Sequence, residues 1–184
     1  MAEGFEAGGH NGREETTTLV LVPAVVEAVS IPVIAAGGIA TGAQMLAALA
    51  LGAEGVQVGS RFVASEEASS HPDFKNAVLH ATEGDTRLSM KNLTPVRLLR
   101  NDFAEAVQGA ENRGATAEEL QALLGRGRAK RGMFEGNLQE GELEIGQVSA
   151  LLHDILPAEK IVAQMWGECL QRLGELSGKF IFKH

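Results

Sequence analysis

Cysteine, long apolar runs and basic clusters are all scarce in this sequence. Of 184 residues only Cys169 is a cysteine, which excludes an internal disulfide and favours a reducing compartment. Cys169 falls in an apolar helical stripe, which is typical of a small buried residue rather than a nucleophile. No apolar run reaches the roughly 18 residues of a membrane span, and the glycine-rich, acidic start does not resemble a signal peptide. We therefore expect a soluble cytoplasmic protein with no membrane partner.

The charge balance argues against a nucleic-acid partner. The formal net charge is -8, whereas a nucleic-acid-binding domain carries a basic stripe. The densest basic segment, residues 126–131, is followed by glutamates at 135, 140, 142 and 144, a pattern typical of a solvated loop or helix end. The histidines, the cysteine and the carboxylates show no metal-ligand spacing. We expect neither nucleic acid nor metal.

Helical and strand patterns alternate between residues 16 and 60. Leu19, Val22, Val25, Val26 and Val29 form an apolar helical stripe, and the run 32–36 is typical of a buried parallel strand. Thr41 and Gln44 then form a capping box that opens a second helix. Residues 55–60 resemble another strand, so the segment predicts a βαβ unit and a parallel sheet.

The remainder of the chain is predicted to be mostly helical. The chain is shorter than the roughly 250 residues of a typical (β/α)₈ barrel. Thr116 and Glu119 form a second capping box, and Pro157 begins the last helix. That helix carries an apolar face of Ile161, Val162, Met165, Cys169, Leu170, Leu173 and Leu176. The other predicted elements are helices over 72–81, 95–108, 116–124 and 145–153 and a basic, glycine-punctuated loop over 125–141.

Two glycine turns and one histidine are the candidate functional positions. Gly37-Gly38 and Gly59-Ser60 end the two predicted strands, where α/β proteins bind ligands. Glycine lets the backbone approach a phosphate, and helix N-termini favour anions. His10 lies in a glycine loop rather than an apolar stripe, and histidine is a suitable general base near neutral pH.

Four segments resemble one known family. The strings AEGFEAGGH (2–10), IPVIAAGGIATG (31–42), ALALGAEGVQVGSRF (48–62) and EIGQVSA (144–150) resemble, in order, motifs of the nitronate monooxygenase family, once called 2-nitropropane dioxygenases. The resemblance implies an α/β fold, the C-terminal portion of a TIM (β/α)₈ barrel from about strand six to strand eight. It implies a partial FMN-binding barrel over 1–90 and a helical C-terminal region over 91–184 that packs on it.

The resemblance also implies an FMN cofactor and a set of site residues. It identifies His10 as the active-site histidine, which takes a proton from the carbon beside a nitro group. Glu3 stands where many nitronate monooxygenases have glutamine, a departure shared with the related flavin-dependent enoyl-acyl-carrier-protein reductases. The implied cofactor-binding residues are Glu3, Gly8, Gly9, Gly37, Gly38, Gln57, Val58, Gly59 and Ser60.

Three functions are compatible with the sequence. The first is oxidation of an alkyl nitronate with O₂, and the second is reduction of an enoyl thioester with NAD(P)H as the electron donor through FMN. The third is an inactive, truncated fragment, because the first five barrel strands of the family have no counterpart here. Half a barrel would expose strand edges that normally pair, so we expect the isolated chain to be unstable, swapped or homo-oligomeric.

Overall fold

Short strands alternate with helices in the first half of the chain, and helices predominate in the second half. The computed structural model describes residues 1–179 as a mixed α/β fold. The strands are β1 (Ala2–Glu3), β2 (Gly9–His10), β3 (Ile34–Ala36), β4 (Gly55–Val56), β5 (Thr86–Ser89) and β6 (Val96–Leu99). The α-helices are α1 (Thr18–Ala28), α2 (Gly42–Ala50), α3 (Ser60–Val63), α4 (Pro72–Leu79), α5 (Asp102–Asn112), α6 (Ala117–Leu124) and α7 (Ala158–Lys179).

The first sheet is parallel, with the strand order β1-β3-β4. Ala2 pairs with Ala35, and Ile34 pairs with Gly55, so the predicted βαβ unit is confirmed. Helix α2 begins at the predicted capping box, in which Thr41 accepts from the backbone N–H of Gln44. The side chains of the strands and of α1, α2 and α7 share one apolar core, formed around Val22, Val33, Ala35, Ile39, Ala48, Ile161 and Met165.

The second sheet is antiparallel, with the strand order β2-β6-β5. The predicted helix over 95–108 is therefore wrong at its start, because residues 96–99 form a strand and the helix begins only at Asp102. Pairing with β5 and burial of all four residues of β6 override the helical pattern. The true start signal is Asn101, whose side chain caps the helix by accepting from the backbone N–H of Ala104. This sheet runs across the predicted boundary between residues 90 and 91.

Two shorter helical segments refine the predictions for the second half. The segment predicted as a loop over 125–141 contains a π-helix over Lys130–Phe134. The short helix predicted over 145–153 is a 3₁₀-helix over Gln147–Leu151. The second predicted capping box, Thr116 with Glu119, is confirmed at the start of α6.

Helix α7 packs closely across the N-terminus of α2. The backbone N–H of Gly42 donates to the Glu168 carboxylate at 2.8 Å. Only Ile161, Met165 and Cys169 of the predicted apolar face are buried, and the other members, Val162, Leu170, Leu173 and Leu176, are exposed. Residues 180–184 lie outside the described chain. Within residues 1–179, no helix combines the length and the apolar character that crossing a bilayer requires.

The α2–α7 crossing yields a stability prediction. A Cβ atom on Gly42 would lie 2.2 Å from the carbonyl oxygen of Met165, so Gly42→Ala must push α7 away. We expect the free energy of unfolding to fall by about 1–3 kcal/mol, measured by urea denaturation followed by circular dichroism. The matched control is Gly167→Ala on α7, where nothing lies within 4 Å and alanine should stabilise the helix by about 0.5–1 kcal/mol. Equal stability of Gly42→Ala and the parent would contradict the packing described.

Candidate active site

A cavity of about 250 Å³ opens beyond the carboxyl ends of β1, β3 and β4. Parallel α/β sheets bind their ligands at this edge, so the cavity is the candidate active site. Its wall includes seven of the residues predicted to bind the cofactor, which are Glu3, Gly8, Gly37, Gly38, Gln57, Gly59 and Ser60.

Three predicted site residues lie elsewhere. Gly9 is buried in β2, and His10 is exposed beside it. Val58 packs against the apolar core behind the sheet and lines a second, apolar pocket with Trp166. His10 is placed by pairing with Val96 of β6. Asn11, next in the chain, fixes the loop by donating through its side chain to the carbonyls of Ala7 and Gly9.

Close backbone contacts at glycines bring the walls of the cavity together. A Cβ on Gly37 would lie 2.6 Å from the carbonyl oxygen of Gly4, and the φ of Gly37 is +83°, a conformation that side chains disfavour. A Cβ on Gly8 would lie 2.4 Å from the backbone nitrogen of Gly146. The N–H of Gly146 in turn donates to the Ser60 hydroxyl at 2.9 Å. The loop after β1 is thereby held against both the turn after β3 and the segment before the 3₁₀-helix.

Several backbone N–H groups on this wall have no partner. Within residues 1–179, the N–H groups of Gly38, Ile39, Gly59 and Ser60 donate no hydrogen bond to another protein group. These four residues line the cavity. Clustered free N–H groups at glycine turns are suited to binding an anion such as a phosphate.

The loop after β1 carries a carboxylate, Glu6, and contacts a buried cation, Arg97. The Glu6 carboxylate accepts from the backbone N–H and the hydroxyl of Thr18, so it caps helix α1. Arg97 is 2% exposed, donates to the carbonyl oxygen of Phe5 at 2.9 Å and stacks on the Phe5 ring. Burial lowers the pKa of Arg97, while the charges of Glu6 and Glu15 act in the opposite direction. This cation offsets part of the negative charge on the cavity wall.

Two further carboxyls, Glu142 and Glu144, belong to the segment that precedes the 3₁₀-helix. Glu144 is part of its wall, and Glu142 is 8% exposed. Burial raises the pKa of both groups, and the Glu144 charge raises that of Glu142 further. Glu6 and Glu144 were not among the site residues predicted from the sequence. The signal for Glu144 was its place in the EIGQVSA string, two residues before Gly146, which contacts Ser60.

Comparison with known proteins assigns this chain to a family. The family described as nitronate monooxygenase matches residues 1–168. A protein of Mycobacterium tuberculosis that is named as a monooxygenase is 40% identical over 187 residues, which cover 97% of this chain and 49% of that protein. The structure of FabK from Thermotoga maritima superposes with a TM-score of 0.90 at 41% identity, covering 97% of this chain and 56% of that one.

A third similar structure is a nitroalkane oxidase from Streptomyces ansochromogenes. It has a TM-score of 0.75 and 31% identity, and the match covers 95% of this chain and 52% of that one. The chain thus belongs to the nitronate monooxygenase family. It spans about half the length of the relatives that it matches.

The two buried carboxyls predict a pH dependence of stability. Their pKa values are raised above the ordinary 4.5 of glutamate, so the folded chain binds more protons than the unfolded chain in the window above pH 4.5. Stability therefore falls as pH rises through that window. We expect Glu142→Gln and Glu144→Gln each to flatten this fall, measured by chemical denaturation at a series of pH values. Glu54→Gln, on an exposed residue, is the control, and a fall as steep in the two variants as in this control would contradict the assignment.

Proposed function

We propose that this chain forms the FMN-phosphate side of an oxidoreductase that oxidises alkyl nitronates with O₂. The observation that carries the proposal is the glycine-walled cavity with free N–H groups at Gly38, Ile39, Gly59 and Ser60. Its three parallel strands correspond to strands six to eight of a (β/α)₈ barrel, in which the loops after strands seven and eight form the phosphate site. In this chain those loops begin at Gly37 and Gln57.

The residues of the cavity fit an FMN phosphate. A phosphate monoester is bound by several N–H donors on a backbone that permits close approach. The turns at Gly37-Gly38 and Gly59-Ser60 combine glycines with N–H groups for which the described residues offer no acceptor. Nothing lies within 4 Å of the position where a Cβ on Gly59 would stand, so this wall is open to a ligand. When bound, the flavin would supply the two-electron chemistry that no side chain of this chain provides.

His10 is the proposed general base. It follows Gly9 on β2 and is exposed, so a substrate can reach its imidazole. With a neutral nitroalkane, the C–H bond beside the nitro group breaks, the proton passes to His10, and the electron pair moves onto the nitro group to form the nitronate.

Enoyl thioester reduction is the second candidate. It is favoured by Glu3 on the cavity wall and by the high similarity to FabK of T. maritima, with a TM-score of 0.90. In that reaction NAD(P)H would reduce the flavin before the thioester is reduced. Because the chain spans about half the length of its relatives, a third outcome is an inactive chain that requires further strands.

The edges of the parallel sheet bear on that third outcome. Within residues 1–179, β1 and β4 each have a single strand neighbour, β3. An unpaired edge presents free backbone donors and acceptors to another strand. The proposal therefore includes association of these edges with further strands, from a second copy or from additional chain.

Substitution of Gly59 tests the cofactor site. The added methyl group of Gly59→Ala has room within the protein and Gly59 has a negative φ of -103°, so the fold should persist. The methyl group would instead occupy space needed by the phosphate. We expect FMN affinity to fall by at least about tenfold, equivalent to one hydrogen bond to a charged group, in a titration followed by flavin fluorescence. Gly174→Ala, at an open position on α7, should bind like the parent, and equal affinity of all three proteins would exclude a phosphate at Gly59.

The reaction itself is tested by two assays on the same flavin-loaded preparation. Oxygen consumption with ethyl nitronate and no NAD(P)H supports the first function, and we expect this result. NAD(P)H oxidation that depends on a crotonyl thioester would replace it with the second function. If the chain binds flavin stoichiometrically but shows turnover in neither assay, it is a cofactor-binding part that lacks activity alone.

A further inference from the structure

Glu144 lies on the same edge of β6 as His10. Residue 144 forms an antiparallel bridge with Leu98 of β6, and the N–H of Leu99 donates to the carbonyl oxygen of Leu143 at 2.8 Å. Strand β5 pairs with β6 along all four residues of its opposite edge. The segment around Glu144 must therefore share the remaining edge with β2, where His10 pairs with Val96.

The Glu144 carboxylate lies over the residue next to His10. A Cβ built on Gly9 would be 2.5 Å from Oε2 of Glu144, so the carboxylate occupies the space above Gly9. Glu144 also lines the cavity proposed for the cofactor. The carboxylate thus lies between the histidine strand and the cavity.

The charge of His10 acts on both buried carboxyls in this region. The pKa of Glu144 is raised by burial and is drawn back down by the His10 cation. The pKa of Glu142 is raised by burial and by Glu144, with His10 and Arg128 acting against both. The titratable groups facing Glu144 are therefore His10 from β2 and Glu142 from its own segment, while Glu3 and Glu6 lie on the same cavity wall.

We propose that Glu144 is a positioning residue for His10 that acts through its charge, stabilising the imidazolium after His10 accepts a proton from substrate carbon. This inference rests on the proposed function in assigning His10 as the base. The proton transfer is the one described above, so the carboxylate takes no proton from the substrate and needs no further reactant. Its contribution is electrostatic, because a fixed negative charge beside a forming imidazolium favours proton transfer.

Coupling between the two side chains is tested by carboxyl NMR on the protein labelled with ¹³C at the glutamate side chain. The Glu144 resonance is assigned by its loss in Glu144→Gln. Removing the cation in His10→Gln should shift the titration midpoint of Glu144 to higher pH, because the stabilising charge is lost. His153→Gln, a change at an exposed histidine, should leave the midpoint in place. An unchanged midpoint in His10→Gln would overturn the proposal, whether or not flavin is bound.

A comparison of two substrates separates positioning from a structural role. Nitroethane must lose a proton to the base, whereas ethyl nitronate has already lost it. We expect Glu144→Gln to lower kcat/KM on the order of tenfold or more with nitroethane and by less than about twofold with ethyl nitronate. Equal losses with both substrates would assign Glu144 a purely structural role and overturn the proposal. If the parent protein oxidises neither compound, the proposed function fails, and the carboxyl titration alone decides the coupling.

Discussion

Contact between backbones at glycine positions is the constraint on which the candidate site depends. Gly37 lies against Gly4, and Gly8 lies against the junction of Ile145 and Gly146. Each contact joins segments that are distant in the sequence, and each leaves no room for a side chain. Gly38 and Gly59 line the cavity that these contacts help to enclose. The close backbone contacts at Gly37 and Gly8 therefore determine both the local fold and the walls of the cavity.

A cavity suited to an anion is here lined by carboxyl groups, and the structure offsets this conflict in three ways. Glu6 is held by Thr18 at the start of α1, so its charge is stabilised by donors away from the cavity. Arg97 supplies a buried cation beneath the same loop. The charge of Glu144 is opposed by that of His10, which lowers the pKa of this carboxyl against the effect of burial. The turns after β3 and β4 are where we propose that a phosphate binds.

Local signals in the sequence predicted local structure well. The capping boxes at Thr41 and Thr116 open helices as predicted, because a capping box acts within a single turn. The strand at 96–99 was predicted as helix because its identity depends on pairing with β5 and β2, which no short window of sequence contains. Glu144 was missed for the same reason, since its relation to His10 arises through their common neighbour β6. The exposed apolar residues of α7 show a second limit of prediction from sequence. An apolar stripe predicts a helix, but it does not specify which element packs against that stripe.

The most direct test of the central claim is to compare FMN with riboflavin, which lacks the phosphate, in parallel fluorescence titrations of the purified chain. If the free N–H groups at Gly38, Ile39, Gly59 and Ser60 bind the phosphate, FMN should bind at least about tenfold more tightly than riboflavin, as hydrogen bonds to a charged group contribute about 1.5–3 kcal/mol. Equal affinity for the two flavins, or no binding of either by the folded chain, would contradict the account.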